Sequence, residues 1–395
     1  MKRTRIVQLK PGQRRDAAIN AQTVLLEEDQ TFADSFKDAF LENYGVIRGI
    51  LEGYQRPGAA IIAVDHQGIA GSVCIAAKKD RINVAIVGRH GLADLFLDGD
   101  ASLSLRHLVV VIHPHQGRDD PRVRVVDLRT PTAFLDEHGR QMEALEAEGP
   151  ILLRLGRFRI FVLPTHDDEG LWPDSGEEGW QCVPERVYLS NLPAEPDRWS
   201  CKRLQRGSRD HAKGSEESLV GPIEGRPTDH EVPIAALAKG DTHEQASDLE
   251  RVKKLQQEGE SRDNVRHTIV QSISGPSRAR RSLLAEGEGP LGALRIRSND
   301  GKSTIIVGQQ AISEGILFGR YERCDNEGLM VLSNGRISRV HVLLMQVADS
   351  VYAIDAGSTN GMWHEGRECR VLKLAFGAHF VLGDRLATLE WLRAR

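Results

Sequence analysis

The sequence predicts an all-β chain: two β-sandwich domains, an N-terminal amphipathic helix, and a long flexible linker between the sandwiches. Three observations predict it. Short apolar runs recur at regular spacing with turn signals between them, as in antiparallel sandwiches. A set of short motifs occurs twice in the same order, once in each half of the chain. The stretch 166–286 is rich in Asp, Glu, Gly, Ser, Arg and Pro, and is too long for a structureless loop inside one compact domain.

Residues 1–56 read as an N-terminal extension. Within it Phe32, Phe36, Phe40, Tyr44, Ile47, Ile50 and Leu51 step by three and four, which predicts one helix over 31–54 with a single apolar face. Such a stripe packs on its own domain as a rule, and it also leaves room for self-association. The first sandwich is expected over 57–165. Its strands are predicted at Ala60–Val64, Ser72–Ala76, Val84–Val87, His107–Ile112, Val123–Val126 and from Ile151 to Leu163. The linker is expected over 166–286, with one local helix at Thr242–Gln257 and a solvated basic cluster at Arg278–Arg281. The second sandwich is expected over 287–395, opening on a hairpin that turns at Asn299-Asp300-Gly301.

Composition narrows the function classes. The chain has 395 residues, 52 Lys and Arg against 56 Asp and Glu, and a net charge of −4. That balance argues against a general nucleic-acid binder, which carries a basic excess. The five cysteines are odd in number and widely spread, so neither a disulfide framework nor a zinc knuckle is suggested. No signal peptide and no run of about 18 apolar residues is found, so the chain reads as cytoplasmic, with no membrane partner. No cofactor and no metal site is predicted. Gly301-Lys302-Ser303-Thr304 imitates the end of a P-loop, but Ile296 stands where that motif needs glycine. His113-Pro114-His115 reads as a pair of exposed loop histidines, because no ligand set surrounds it. No nucleophile–base arrangement has a local signature, so a non-enzymatic chain is expected.

The repeated motifs carry the chemistry. The C-terminal copy has Gly319-Arg320, then Ser338-Arg339-Val340-His341, then Gly357-Ser358-Thr359-Asn360-Gly361. A phosphorylated side chain carries roughly −1.5 to −2 charges and three acceptor oxygens. A guanidinium meets two of those oxygens with a planar fork. Arg320 is the candidate for that fork; Ser338 adds a hydroxyl and Arg339 a second charge. Ser358 and Thr359 can donate from a turn. Asn360 can both donate and accept, and Gly361 allows a positive φ. Cationic and hydroxyl donors without a nucleophile suit a site that grips a phosphate and leaves it intact.

This set resembles the forkhead-associated (FHA) family, a phosphothreonine-binding β-sandwich, and the resemblance covers about 291–395. It implies that Arg320, Ser338 and Thr359 contact phosphate, with Arg339 adjacent. It implies that Asn360 clamps the peptide main chain and that Arg336 reads residues after the phosphothreonine. Gly319, His341 and Gly361 are structural in this comparison. The upstream copy has Gly88-Arg89, then Ser104-Leu105-Arg106-His107, then Asp127 to Thr132. Arg89, Ser104 and Arg106 offer a weaker second site, but Leu105 replaces the arginine, the Asn-Gly pair is missing, and Pro131 removes an N–H.

The expectation is an adaptor that recruits threonine-phosphorylated proteins, such as a Ser/Thr kinase or its substrates. Two other readings stand beside it: a phosphate-independent scaffold of a larger assembly, such as a secretion-system accessory, and a regulator touching nucleic acid through its linker. Thr228, Thr242 and Thr268 read as accessible linker threonines, and Thr165 as one at the edge of the first sandwich; the C-terminal sandwich could capture any of them once phosphorylated.

Overall fold

The computed structural model describes residues 36–115, 117, 120–166, 172–189, 267–276, 282–299, 301–325 and 332–394. Phe32, Thr228, the predicted helix Thr242–Gln257 and the basic cluster Arg278–Arg281 lie outside the described residues.

Where one N-terminal helix is predicted, two occur: α1 (Phe36–Glu42) and α2 (Tyr44–Glu52). The break is Asn43. Its backbone leaves the helical basin at φ −110°, ψ 9°, and its amide Nδ2 donates to the Ala39 carbonyl at 2.9 Å. That local bond competes with the helix ladder.

The first sandwich holds β1 (Gly58–Asp65), β2 (Gly68–Ala76), β3 (Asn83–Gly88), β4 (Leu95–Phe96), β5 (Leu108–Ile112), β6 (Arg122–Asp127), β7 (Phe134–Asp136), β8 (Gln141–Met142), β9 (Ala144–Glu148), β10 (Ile151–Leu155) and β11 (Phe158–Thr165). One sheet runs β2-β1-β11-β10-β7-β8, and β9-β6-β5-β3-β4 belong to the other. The unbroken apolar runs have a physical cause: both faces are covered. In β1, Ala59, Ile61 and Ala63 enter the core between the sheets, while Ala60, Ile62 and Val64 pack under the helices. Strand alternation thus demands apolar residues at every position. The stripe Phe36, Phe40, Tyr44, Ile47 and Leu51 covers that outer face, with Phe40 at 6.0 Å from Phe161. The N-terminal helices therefore pack on their own domain.

The stretch 166–286 does not behave as a linker throughout. It contains α3 (Gly176–Gln181), β12 (Glu185–Leu189) and β13 (His267–Ile273). Trp180 of α3 packs against Phe40 at 5.2 Å. β13 pairs antiparallel with β9 and parallel with β12, extending the second sheet to seven strands. The chain thus leaves this sheet at Leu189 and returns to it at His267. What joins the two sandwiches is the short stretch from 274 to 289. Polar neighbours mask β13 in composition, yet Thr268, Val270 and Ile273 are buried in it. Thr268, expected to be accessible, and Thr165, expected at the edge of the first sandwich, are each 3% exposed.

The second sandwich holds β14 (Pro290–Ser298), β15 (Gly301–Gly308), α4 (Gln309–Glu314), β16 (Ile316–Phe318), β17 (Val342–Val347), β18 (Ser350–Asp355), β19 (Met362–His364), β20 (Arg367–Glu368), β21 (Val371–Leu374), β22 (His379–Leu382) and β23 (Ala387–Leu392). Its sheets run β15-β14-β23-β22-β19-β20 and β16-β17-β18-β21. The β14–β15 hairpin pairs Ser298 with Gly301, so the P-loop imitation lies in a hairpin.

The two sandwiches pack face to face. Val84, Ile86, Val109, Val111 and Val126 of the first join Leu317, Leu343, Met345, Tyr352 and Ile354 of the second in one buried cluster. Polar ties ring it. Arg129 pairs with Asp325 at 2.7 Å, both side chains 5% exposed. Arg370 grips Asp94 with two bonds of 2.6 Å, and Arg124 reaches the Ser313 carbonyl at 3.1 Å.

Candidate functional site

The motif residues converge at one end of the second sandwich. Gly319 follows β16, and a Cβ there would lie 2.2 Å from the Arg339 carbonyl oxygen, so only glycine lets the two loops touch. The contact brings Arg320 N–H to the Ser338 carbonyl at 3.1 Å and Tyr321 N–H to the Arg339 carbonyl at 3.1 Å. The Ser338 hydroxyl oxygen accepts the Thr359 N–H at 3.1 Å. Three residues from three separate loops are thereby joined by direct hydrogen bonds. The Arg320, Arg339 and Thr359 side chains face solvent. Among the described residues no side-chain partner is found for either guanidinium.

His341 holds this arrangement from below. Its Nδ1 accepts the Ser338 N–H at 3.1 Å, and its Nε2 donates to the Gly361 carbonyl at 3.0 Å. Those bonds fix the neutral Nε2–H tautomer. Burial keeps the imidazole below its ordinary pKa. Gly361 has φ 71°, the left-handed region that the motif's glycine serves.

Some candidates are placed differently from expectation. Ser358 turns inward: its N–H and hydroxyl both donate to Asp355, at 2.5 and 2.7 Å. It shapes the turn rather than facing a ligand. The Asn360 amide Nδ2 donates to the Arg336 carbonyl at 2.6 Å and so bridges the two loops. Arg336 makes an exposed ion pair with Asp384 at 2.9 Å. Asp355 is a site residue that motif reading missed. Its signal was an aspartate three positions before a hydroxyl residue in both copies, Asp127/Thr130 and Asp355/Ser358.

The upstream copy repeats the scaffold bond for bond. Arg89 N–H meets the Ser104 carbonyl at 3.2 Å, Ser104 N–H meets His107 Nδ1 at 3.1 Å, and Thr130 donates to Asp127 twice at 2.7 Å. Asp94 accepts the Ile86 N–H as Asp325 accepts that of Leu317. The ligand end is lost. His107 Nε2 now meets the Thr132 carbonyl at 2.7 Å, so this turn is one residue shorter than its counterpart. Pro131 follows Thr130 where Thr359 follows Ser358, and it has no N–H for the Ser104 hydroxyl. Arg89 bends its Nε onto the Leu103 carbonyl at 2.6 Å. Arg106 does not face a ligand groove. It crosses to the other sandwich, where its Nε donates to the Gly357 carbonyl. The weaker second site is therefore not assembled in this arrangement.

His113, expected in an exposed loop, is 7% exposed and lies 3.6 Å from Glu146, which is also paired with Arg124 at 2.6 Å. Among the described residues no three His, Cys, Asp or Glu side chains are grouped to hold a metal ion, and no helix is long and apolar enough to cross a membrane.

Comparison with known proteins places the FHA-domain model on residues 316–383. Among solved structures, the chain is similar to the first FHA domain of Rv1747 from Mycobacterium tuberculosis, at 25% identity, covering 27% of this chain and 100% of that one with a TM-score of 0.21. It is similar to the FHA domain of CT664 from Chlamydia trachomatis at 22% identity, covering 26% and 98% with a TM-score of 0.23. It is also similar to Mycobacterium tuberculosis EmbR in complex with a low-affinity phosphopeptide, at 16% identity, covering 38% and 31% with a TM-score of 0.22. No curated protein matches the chain.

Proposed function

We propose, from the match of the forkhead-associated domain model to residues 316–383, that the chain is a non-enzymatic adaptor that binds threonine-phosphorylated proteins. Arg320 supplies the bidentate fork, Ser338 and Thr359 the hydroxyl contacts, and Arg339 the adjacent charge. Asn360 and Arg336 line the path of the peptide. The observation that supports this most is the junction of Arg320, Ser338 and Thr359 through bonds of 3.1 Å, with two guanidiniums left facing solvent beside it. The first sandwich serves as a rigid partner, because Pro131 and the shortened turn remove its phosphate contacts. The partners are products of a Ser/Thr kinase, and the working compartment is the cytoplasm.

The test is calorimetry on the full chain with phosphothreonine peptides and their unphosphorylated twins. Arg320→Ala should weaken binding by about 2–5 kcal/mol, the range for truncating one partner of a buried charge contact. Lysine at 320 should not restore it, since the fork is gone. Equal binding by parent and Arg320→Ala would place the phosphate elsewhere.

A further inference from the structure

We propose that Arg106, a residue of the first sandwich, is a positioning residue for the phosphate-binding turn of the second. The proposal rests on the phosphothreonine reading of that turn. In the repeat, Arg106 stands two positions after Ser104, where Val340 stands after Ser338. Its side chain has left its own copy and donates from Nε to the Gly357 carbonyl.

The peptide unit it reaches is the sensitive one. Gly357 sits at φ 78°, and the unit that follows carries the Gly357 carbonyl on one side and the Ser358 N–H on the other. The Ser358 N–H is held by Asp355 at 2.5 Å. The Arg106 guanidinium holds the opposite end. A glycine in the left-handed region rotates its following peptide at little steric cost. Two anchors on one peptide plane remove that freedom. The next N–H in the chain is that of Thr359, which donates to the Ser338 hydroxyl at 3.1 Å. Arg106 thus fixes the plane from which the Thr359 hydroxyl and amide are presented. Among the described residues, the atoms nearest to a Cβ built on Gly357 belong to Arg106 and Ile86, both of the first sandwich. The Arg106 Nη2 atom is buried and finds no acceptor among the described residues, so this guanidinium is retained at a cost in solvation.

The first copy therefore contributes to recognition without binding phosphate itself. Its worn motif has been turned through the domain interface onto its neighbour's loop.

The experiment uses the full chain with Ser and Thr amides labelled for NMR and a phosphothreonine peptide bound by the parent. Arg106→Ala should shift and broaden the Ser358 and Thr359 amide resonances without peptide, and should weaken binding about 3- to 30-fold. Arg106→Gln should restore part of both, because it returns a donor without the charge. Arg370→Ala removes a different interdomain pair, with Asp94, and should leave both readouts near parent. Unmoved amides in Arg106→Ala, or an equal loss in Arg370→Ala, would overturn the proposal. The amide readout needs no ligand, so it separates failure of this role from failure of the phosphothreonine reading, which Arg320→Ala tests.

Discussion

Arg129→Ala is the sharpest probe of the interface. The Arg129 guanidinium makes two bonds across it, Nη1 to the Arg323 carbonyl at 2.6 Å and Nη2 to Asp325 at 2.7 Å, and a third to the connecting stretch, Nε to the Pro276 carbonyl at 2.8 Å. Truncation leaves a carboxylate that is 5% exposed without this cation. Removing one partner of such a pair costs about 3–5 kcal/mol. Each carbonyl stripped of its donor adds about 1 kcal/mol where water cannot reach it. Asp325 keeps the Leu317 N–H at 2.9 Å, so the lower range is the better figure. Arg129 also has φ 58°. That conformation costs a non-glycine residue about 1–2 kcal/mol, in Arg and Ala alike. Arg129→Gly sheds that cost and should be about 1 kcal/mol less destabilised than Arg129→Ala. Urea unfolding of the full chain by tryptophan fluorescence is the assay, since Trp172 and Trp180 report on the first sandwich and Trp363 and Trp391 on the second. The parent should unfold in one transition, and Arg129→Ala in two, beginning at lower urea. A single unshifted transition, or glycine no better than alanine, would refute the reasoning.

Acidification should destabilise the fold. Burial pushes His107 and His113 down to about 4, so between pH 6.5 and 4 the unfolded chain binds protons that the folded chain refuses. Stability is full above pH 6.5 and should fall steadily below it; a flat denaturation midpoint from pH 7 to 5 would contradict this. Glu146, held down to about 2 against its burial by Arg124, His113 and Arg122, extends the loss from pH 4.5 downward. Residues 57–165 expressed alone lack β13 and expose the apolar outer face of β3, β5 and β6. They should aggregate or unfold by circular dichroism; a soluble, cooperative fragment would show that the interface is dispensable. Thr165 and Thr268 should resist phosphorylation in the native chain, and mass spectrometry finding either modified without unfolding would disprove their burial.

Much of the fold was legible because its constraints are local. Gly88 and Gly319 recur since a carbonyl lies where a Cβ would be, 2.4 Å and 2.2 Å away. Asp94 and Asp325 recur since each accepts a backbone N–H of its own sheet. Pro131 announced the lost contact through its missing N–H. β13 escaped notice because a seven-residue strand disappears in a polar window, although Thr268, Val270 and Ile273 are buried in it. The run His107–Ile112 reads as a strand, yet its lack of alternation, shared by β17, also carried a message. Both faces are covered, one of them by the other sandwich. What no local pattern contains is rigid-body placement. The directions taken by Arg106 and Arg129 follow from how two folded halves meet, and motif matching assigned Arg106 to a site that it does not line.

The excursion from Leu189 to His267 begins and ends in one sheet. Its length is therefore decoupled from the spacing of the two sandwiches. Lengthening or trimming the sequence between those two residues leaves the distance between the halves untouched. Reach and avidity in tandem modules are usually tuned by the connecting chain. Here that dial is disconnected. A ligand that touches both halves meets a fixed bracket whose span is set by packed valines and leucines, and it must fit that span or engage one half alone.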